Sequence, residues 1–384
     1  MESQLAEVRA ALSQSGESTF EGAKAKAELA VQELNNVTLH IAVTGVTGAG
    51  KSSFVNALRR VQDGEEGAAP TGVEETTMEP TMYRHPTMPN VNIWDLPGIG
   101  TKNFRAREYI KMVNFNTYDF FLILTSTRLH ENDIMLAKEI EKNKKKFYFI
   151  RTKVDQDVDA EKRKGKTGEQ TLSLLRHALE EKLKDLGSVR IFLMSSWELH
   201  KFDFNELIRV LEKDLPDNKR NALIQSLPVY SMEILDKKYN TFKKVTWVSA
   251  FASGAVGAIP VPGVSAAFDL PMILAFLTKC YFSFGLDENS LKKLSERVNK
   301  PIFAKVHESK FIKAISTRSL ALLAVELSSY LALEGLEAAL RFIPFLGIVT
   351  GAVMSFTTTL LALSKGLDEL YKAAKEVVEM AGLD

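Results

Sequence analysis

The spacing of hydrophobic positions changes character twice along the chain. Over residues 1–36, Phe20, Ala23, Ala27, Ala30, Val31 and Leu34 recur at three- and four-residue steps, which is one face of a helix. Such a stripe must bury against something. The next apolar run starts at once, so its partner is expected later in the chain. From Val37 to about Pro216, short apolar runs alternate with polar or helical ones. Thr38–Val43, Met82–His85, Val91–Trp94, Tyr118–Leu124, Phe147–Arg151 and Arg190–Met194 read as strands. This alternation predicts an α/β domain, a mainly parallel sheet with helices on both faces. From Asn221 to the end the pattern is helical throughout. Leu291, Leu294 and Val298 form one stripe; Leu367, Leu370, Tyr371, Ala374, Val377 and Ala381 form another. Three segments result: N-terminal helices over 1–36, the α/β domain over 37–216, and a helical domain over 217–384.

Two stretches in the helical part, Trp247–Phe268 and Phe342–Ser364, carry no charge and are long enough to span a bilayer. Pro260-Val261-Pro262-Gly263 splits the first, and Asp269 and Pro271 interrupt the run just beyond it. Pro344 and Gly347 cut the second, which also carries Thr350, Ser355, Thr357, Thr358 and Thr359. They read as buried helices joined by a proline turn; a segment that inserts in a membrane or lies on one is the alternative.

Composition narrows the class only slightly. An apolar fraction of 45% and a charged fraction of 25% are those of a globular protein with a full core. A net charge of +1 gives no field that argues for nucleic acid. The single cysteine, Cys280, excludes an internal disulfide and sits in apolar surroundings that make it a core residue. The six histidines show no metal-ligand spacing. Residues 1–36 are too polar for a secretory signal, and Glu2 is not the glycine that myristoylation requires.

The chemistry lies in the α/β part. Gly45-Val46-Thr47-Gly48-Ala49-Gly50-Lys51-Ser52 reads GxxxxGK[ST], a P-loop, between the first strand and a helical run that opens at Ser53. Glycines let successive backbone N–H groups point at phosphate, and the helix N-terminus adds its positive end. Lys51 can reach the outer phosphates, and Ser52 can ligate Mg²⁺. Asp95-Leu96-Pro97-Gly98 closes the strand Val91–Trp94; there Asp95 can hold Mg²⁺ through water and the Gly98 N–H can meet the γ-phosphate. Thr152-Lys153-Val154-Asp155 closes the strand Phe147–Arg151. A carboxylate can accept from both N1–H and the exocyclic amine of guanine, a pair adenine lacks, so Asp155 selects GTP. The Lys153 stem can pack along the base. Ser195, ending the last strand, is small enough for a backbone N–H to reach the guanine O6.

Residues 67–78 (GAAPTGVEETTM) have the small, Thr-rich composition of a switch. Thr71 is the residue proposed to close on Mg²⁺ and the γ-phosphate, with Thr76 and Thr77 competing. After DxxG come Ile99 and Gly100, where Ras-like GTPases carry a glutamine that orients the attacking water. Intrinsic hydrolysis is therefore expected to be slow, or completed by groups from outside. Lys142–Lys146 and Asp155–Lys166 read as solvated faces and a loop.

The runs VTGVTGAGKSSFVNALR, GAAPTGVEETTM, VNIWDLPGIG, YDFFLIL and FYFIRTKVD, with AIPVPGVSAAFDLPMIL and FGLDENSL further on, resemble the immunity-related GTPases, the interferon-inducible p47 family. The resemblance covers nearly all of the chain. It implies a Ras-like GTPase domain inserted in a helical domain built from both chain ends. It implies the GKS effector subgroup, and GTP-dependent self-assembly with catalysis across a GTPase-to-GTPase interface, among copies or with related GTPases. Glu75 matches the family's switch position linked to that catalysis, with Glu74 beside it competing. The resemblance also implies cell-autonomous defence, in the cytoplasm and at endomembranes or pathogen-containing vacuoles, by peripheral membrane association.

The expectation is then a Mg²⁺-dependent GTPase that turns GTP into GDP as it assembles. Gly45, Gly48, Ala49, Gly50, Lys51, Ser52 and Ser53 would hold the phosphates; Thr152, Lys153, Asp155 and Ser195 the base; Ser52, Thr71 and Asp95 the metal. Lys51, Thr71, Glu75 and Gly98 would serve catalysis. The competing readings are a GTP-held binding switch with incidental hydrolysis, and an integral membrane protein with a cytosolic GTPase head.

Overall fold

The computed structural model describes residues 37–72, 77–99, 105–187, 189–256, 264–301, 309–333 and 350–383. The stripe over residues 1–36, and with it a helical domain drawing on both chain ends, lies outside them. So do Glu74, Glu75, Thr76, Gly100 and the Pro260–Gly263 turn. The chain divides into two compact units, one of which is Val37–Pro228, while the other contains Val229–Asp384.

All six predicted strands form: β1 (Leu39–Gly45), β2 (Thr81–Arg84), β3 (Val91–Asp95), β4 (Phe120–Thr125), β5 (Lys146–Arg151) and β6 (Ile191–Leu193). They make one sheet in the order β2-β3-β1-β4-β5-β6, parallel except for the edge strand β2. The buried strands are near-continuous apolar runs, as a sheet covered on both faces requires. In register, Ile41 lies beside Ile93 and Phe120, and Val43 beside Asp95 and Leu122. The chain leaves β1 toward β3 on one side and later returns to β4 on the other. That reversal opens the crevice at the carboxyl end of β1, where α/β sheets bind ligands.

The helices of this unit are α1 (Lys51–Leu58), α2 (Ala106–Met112), α3 (Glu131–Lys142), α4 (Val154–Lys162), α5 (Gly168–Leu183), α6 (Phe204–Asp214) and α7 (Asp217–Ser226). On one face of the sheet Ala42, Phe121, Ile123, Phe149 and Leu193 meet Leu136, Ile140, Leu179 and Leu183. Phe115 stacks on Phe121 at 4.8 Å between ring centres. The charged run after Asp155 is helix α4 as far as Lys162, with a solvated turn beyond it. Asp155 and Asp157 stand in its first turn and complement the helix dipole, which offsets the lack of an apolar stripe.

Helix α7 packs on β1 and β3 and belongs to the sheet unit, so the boundary falls after Pro228 rather than at 216/217. Ala222, Leu223 and Ile224 are buried, and Lys219 pairs with Asp119. The Arg60 guanidinium donates to the Leu227 carbonyl just beyond the helix. The helix starts at Asp217, ahead of the change of sequence pattern at Asn221, and a change of secondary structure is not a change of unit.

The second unit is built on α8 (Met232–Val256), α9 (Val264–Ser283), α10 (Glu288–Val298), α11 (Lys310–Ser316), α12 (Leu320–Leu333) and α13 (Thr350–Ala381). Leu235, Phe242, Leu277, Cys280, Leu363, Leu367 and Leu370 share its core. Both sequence stripes lie on helices there: Leu291 is buried on α10, and Leu367, Leu370, Ala374, Val377 and Ala381 are buried along α13. Cys280 is fully buried, and burial pushes its thiol up, so it is inert packing. A Cβ on Gly366 would stand 2.7 Å from both methyls of Leu277, which lets α9 and α13 approach closely. Tyr239 donates to Asp368 and Tyr371 to Asp236, each at 2.6 Å, so α8 and α13 are cross-tied. Helix α9 runs through Pro271, which the sequence marks as an interruption. The lost bond and ring clash cost about 3 kcal/mol, and burial of Ile273, Leu274, Leu277 and Tyr281 just beyond offsets that. Among the described residues one stretch, Leu270–Glu296, is long and apolar enough to cross a membrane, and half of it is buried within the protein.

Candidate nucleotide site

The P-loop leaves the carboxyl end of β1 and turns into α1. Gly45 has φ 138°, and a Cβ there would lie 2.1 Å from the Leu124 carbonyl oxygen, so no side chain fits between β1 and β4. Gly50 caps α1 in the left-handed conformation, φ 82°. No side chain caps this helix N-terminus. An uncapped helix start of this kind is what an anion-binding site uses.

Lys51 is 8% exposed, and its Nζ lies 3.3 Å from the Val46 carbonyl across the loop. Its charge bears on Asp95 and Asp133. The Ser52 hydroxyl donates to Asp95 Oδ2 at 2.7 Å, and the Thr77 hydroxyl donates to the same oxygen at 3.1 Å. Asp95 is 1% exposed, and its Oδ1 has no partner among the described residues. Burial pushes its carboxyl up, while the Ser52 bond, the Lys51 charge and the Thr77 bond pull it back. A buried carboxylate with one orphaned oxygen beside a serine hydroxyl is a donor set for a hard divalent cation. Of the two switch threonines described, Thr77 is at Asp95, whereas Thr71 is exposed to solvent. Thr76 lies outside the described residues.

Ser53 sits one residue further into α1, and its hydroxyl donates to Asp63 at 2.9 Å. Only its backbone faces the phosphate end. Sequence reasoning missed the frame behind this helix. Asn56, 1% exposed, donates to the Ala69 carbonyl and accepts from the Ala69 N–H, at 2.9 and 2.7 Å. Arg59 donates to the Gly67 and Arg84 carbonyls, each at 3.0 Å. These bonds fix the chain up to Ala69, so the switch begins beyond it. A buried polar residue on the inner face of a P-loop helix is the signal that could have found Asn56.

The base end is assembled by β5, α4 and β6. Lys153 adopts the left-handed conformation, φ 58°, and donates to the Gly48 carbonyl at 3.0 Å. Its stem therefore lies along the P-loop. Thr152, buried, donates to the Ala49 carbonyl at 2.6 Å and ties the two motifs together. Asp155 Oδ1 is buried and has no partner among the described residues. An orphaned carboxylate oxygen is costly unless a ligand completes it. Ser195 is 1% exposed; its Oγ accepts from the N–H groups of Trp197 and Glu198, each at 3.2 Å, which shapes the loop beside the base. Beneath it, buried Arg151 pairs with Asp157 at 2.5 Å. Its burial lowers the guanidinium, while Asp157 raises it. This pair escaped the sequence reading because it spans a strand end and the next helix.

The DLPG loop is stitched to β1. The Leu96 N–H donates to the Val43 carbonyl at 2.9 Å and the Ile99 N–H to the Gly45 carbonyl at 3.3 Å. Asn132, in the first turn of α3, donates to the Ile99 carbonyl at 2.6 Å. Ile99 itself is 0% exposed and packs in the sheet's apolar core. Asp133, beside Asn132 on α3, is fully buried, and burial pushes its carboxyl up to about 6.

A P-loop at the switch point of a mainly parallel sheet, a DxxG carboxylate behind Ser52, and a carboxylate after Thr152-Lys153 whose Oδ1 has no partner among the described residues define a P-loop GTPase. The model of the interferon-inducible GTPase (IIGP) family matches residues 14–331, and the chain belongs to that family. It is 39% identical over 346 residues to Interferon-inducible GTPase 5 of Rattus norvegicus, covering 88% of this chain and 74% of that protein. It is 40% identical over 274 residues to Interferon-gamma-inducible GTPase 10 of Mus musculus, covering 70% and 65%. It is 41% identical over 271 residues to Interferon-inducible GTPase 1 of Mus musculus, covering 69% and 66%. Among solved structures it is similar to Toc33 from Arabidopsis thaliana in complex with GDP and Mg²⁺, at 16% identity and a TM-score of 0.31, over 43% of this chain and 74% of that one.

Proposed function

We propose that this GTPase hydrolyses GTP to GDP with Mg²⁺, and that a second GTPase domain completes the site when chains assemble. The observation that carries the reading is the burial of Ile99. The position after DxxG, where a Ras-like enzyme orients water with a glutamine, here points an aliphatic side chain into the core. A group supplied in trans then accounts for turnover, and such a group is worth on the order of 10³–10⁵ in rate.

Within one chain the geometry supports the following division of labour. Lys51 and the N–H groups at the start of α1 hold the charge of the outer phosphates. Ser52 and Asp95, whose Oδ1 is orphaned, would hold Mg²⁺, with Thr77 or Thr71 closing from the switch. Bound there, the ion neutralises charge that develops on the phosphate oxygens. The Gly98 N–H reads the γ-phosphate, and Asp155 selects guanine. Glu75 is the in-trans candidate from the switch.

The relatives' names place them under interferon control, which supports a role in cell-autonomous immunity for this chain. We place its action in the cytoplasm and peripherally at endomembranes or pathogen-containing vacuoles, with copies of itself or related GTPases as partners.

Assembly is read by light scattering or sedimentation. With Mg²⁺ and a non-hydrolysable GTP analogue the protein grows to dimers or larger species, and with GDP it stays monomeric. The same size in both nucleotides would sink the in-trans part of the reading.

A further inference from the structure

The geometry points to Tyr109 as the positioning residue that aims the Gly98 N–H at the γ-phosphate. Tyr109 stands on α2, 6% exposed, with its hydroxyl inside the sheet unit. That hydroxyl donates to the Pro97 carbonyl at 3.0 Å and lies 2.8 Å from the Thr44 hydroxyl. The phenol has one hydrogen, and the Pro97 carbonyl takes it. Thr44, 0% exposed at the end of β1, is therefore the donor to the phenol oxygen. The result is a directed chain: Thr44 hydroxyl to Tyr109 hydroxyl to Pro97 carbonyl.

The Pro97 carbonyl belongs to the peptide unit whose other end is the Gly98 N–H. In a trans peptide the C=O and N–H point in opposite directions in one plane. Fixing the carbonyl on the buried phenol fixes the N–H on the far side of the loop. The neighbouring donors are already committed: Leu96 to Val43, Ile99 to Gly45, and Pro97 has no N–H. Gly98 thus offers the one N–H of the loop that has no partner among the described residues. Hydrogen bonds in series polarise one another, so an anion on the Gly98 N–H strengthens the Pro97–Tyr109 bond and the reverse also holds. Asn132, holding the Ile99 carbonyl at 2.6 Å, fixes the following peptide in the same way.

The inference rests on Gly98 sensing the γ-phosphate, so the experiment tests the two separately. Binding of GDP and of the analogue GppNHp is measured with Mg²⁺ for the wild type, Tyr109→Phe and Thr44→Val. In parallel the Gly98 amide is followed by NMR in ¹⁵N-glycine protein, its signal identified by its loss in Gly98→Ala. The wild-type Gly98 signal is expected to shift between the GDP and GppNHp forms. Tyr109→Phe should weaken GppNHp about three- to tenfold, the worth of one neutral hydrogen bond. It should leave GDP binding unchanged and shrink the Gly98 shift. Thr44→Val should give a smaller loss of the same kind. If the wild-type signal does not shift, the sensor reading falls and takes the inference with it. If it shifts but Tyr109→Phe keeps the wild-type ratio of the two affinities, the inference alone is overturned. Equal weakening of both nucleotides would also overturn it, because that is what a merely structural tyrosine does.

Discussion

Lys51→Ala is expected to cut the rate of GTP turnover by about 10²–10³-fold, the usual cost of removing one preorganised charge-stabilising group. The fold should survive. Lys51 is on the first turn of α1, and the helix is anchored elsewhere by Phe54 and Val55, both 0% exposed, and by the Asn56 and Arg59 bonds. What the variant loses is the cation between two buried carboxylates. Lys51 is the charge that offsets the burial penalty on Asp95 and on Asp133. Without it, both carboxyls are pushed further toward the neutral form. Asp95 is then held less firmly in the ionised form that a metal ion takes, so the variant should also need more Mg²⁺ for whatever turnover remains. Steady-state phosphate release against Mg²⁺ concentration measures both effects. Turnover within a few-fold of wild type would remove Lys51 from the phosphate site.

Asp155→Asn should lower the preference for GTP over ATP by at least about tenfold. Two charge-assisted bonds to guanine are each worth about 1.5–3 kcal/mol. The amide can replace at most one of them, and its NH₂ faces guanine donors. Asp155 Oδ1 is unpartnered among the described residues, so the substitution breaks no hydrogen bond of that oxygen there. The neighbouring Thr152 bond to Ala49 and Lys153 bond to Gly48 stay in place, and with them the phosphate end. Competition of GTP and ATP for labelled GDP reads the ratio directly. An unchanged ratio would mean that the base is held elsewhere.

The parts legible in the sequence were those with local causes. Each buried strand of the sheet was a run of mostly apolar residues, unlike the exposed edge strand β2 (TMYR), and each motif stood at a strand's carboxyl end. Gly45 and Lys51 could be assigned because a phosphate cradle needs them at fixed offsets. The parts not legible depend on distance in the chain. Tyr109, Thr44 and Pro97 meet only after β1, β3 and α2 pack, and nothing in EYIKM marks its tyrosine as reaching a loop twelve residues earlier. Arg151 looked like the end of a strand; only the turn at Lys153 brings Asp157 back to it. That Thr77 rather than Thr71 reaches Asp95 could not be read from a small, Thr-rich stretch, because the choice is made by backbone path. Helix α7 has the pattern of the helical part, yet its apolar side is buried on the sheet unit.

The most direct test of the account is GTPase activity per molecule as protein concentration rises, with Mg²⁺ and saturating GTP. The account predicts specific activity that climbs with concentration and then saturates, because Ile99 leaves the water-orienting role to a second domain. Specific activity that stays flat from dilute to concentrated protein would contradict it, and would mean either a self-contained site or a GTP-held switch awaiting another activator.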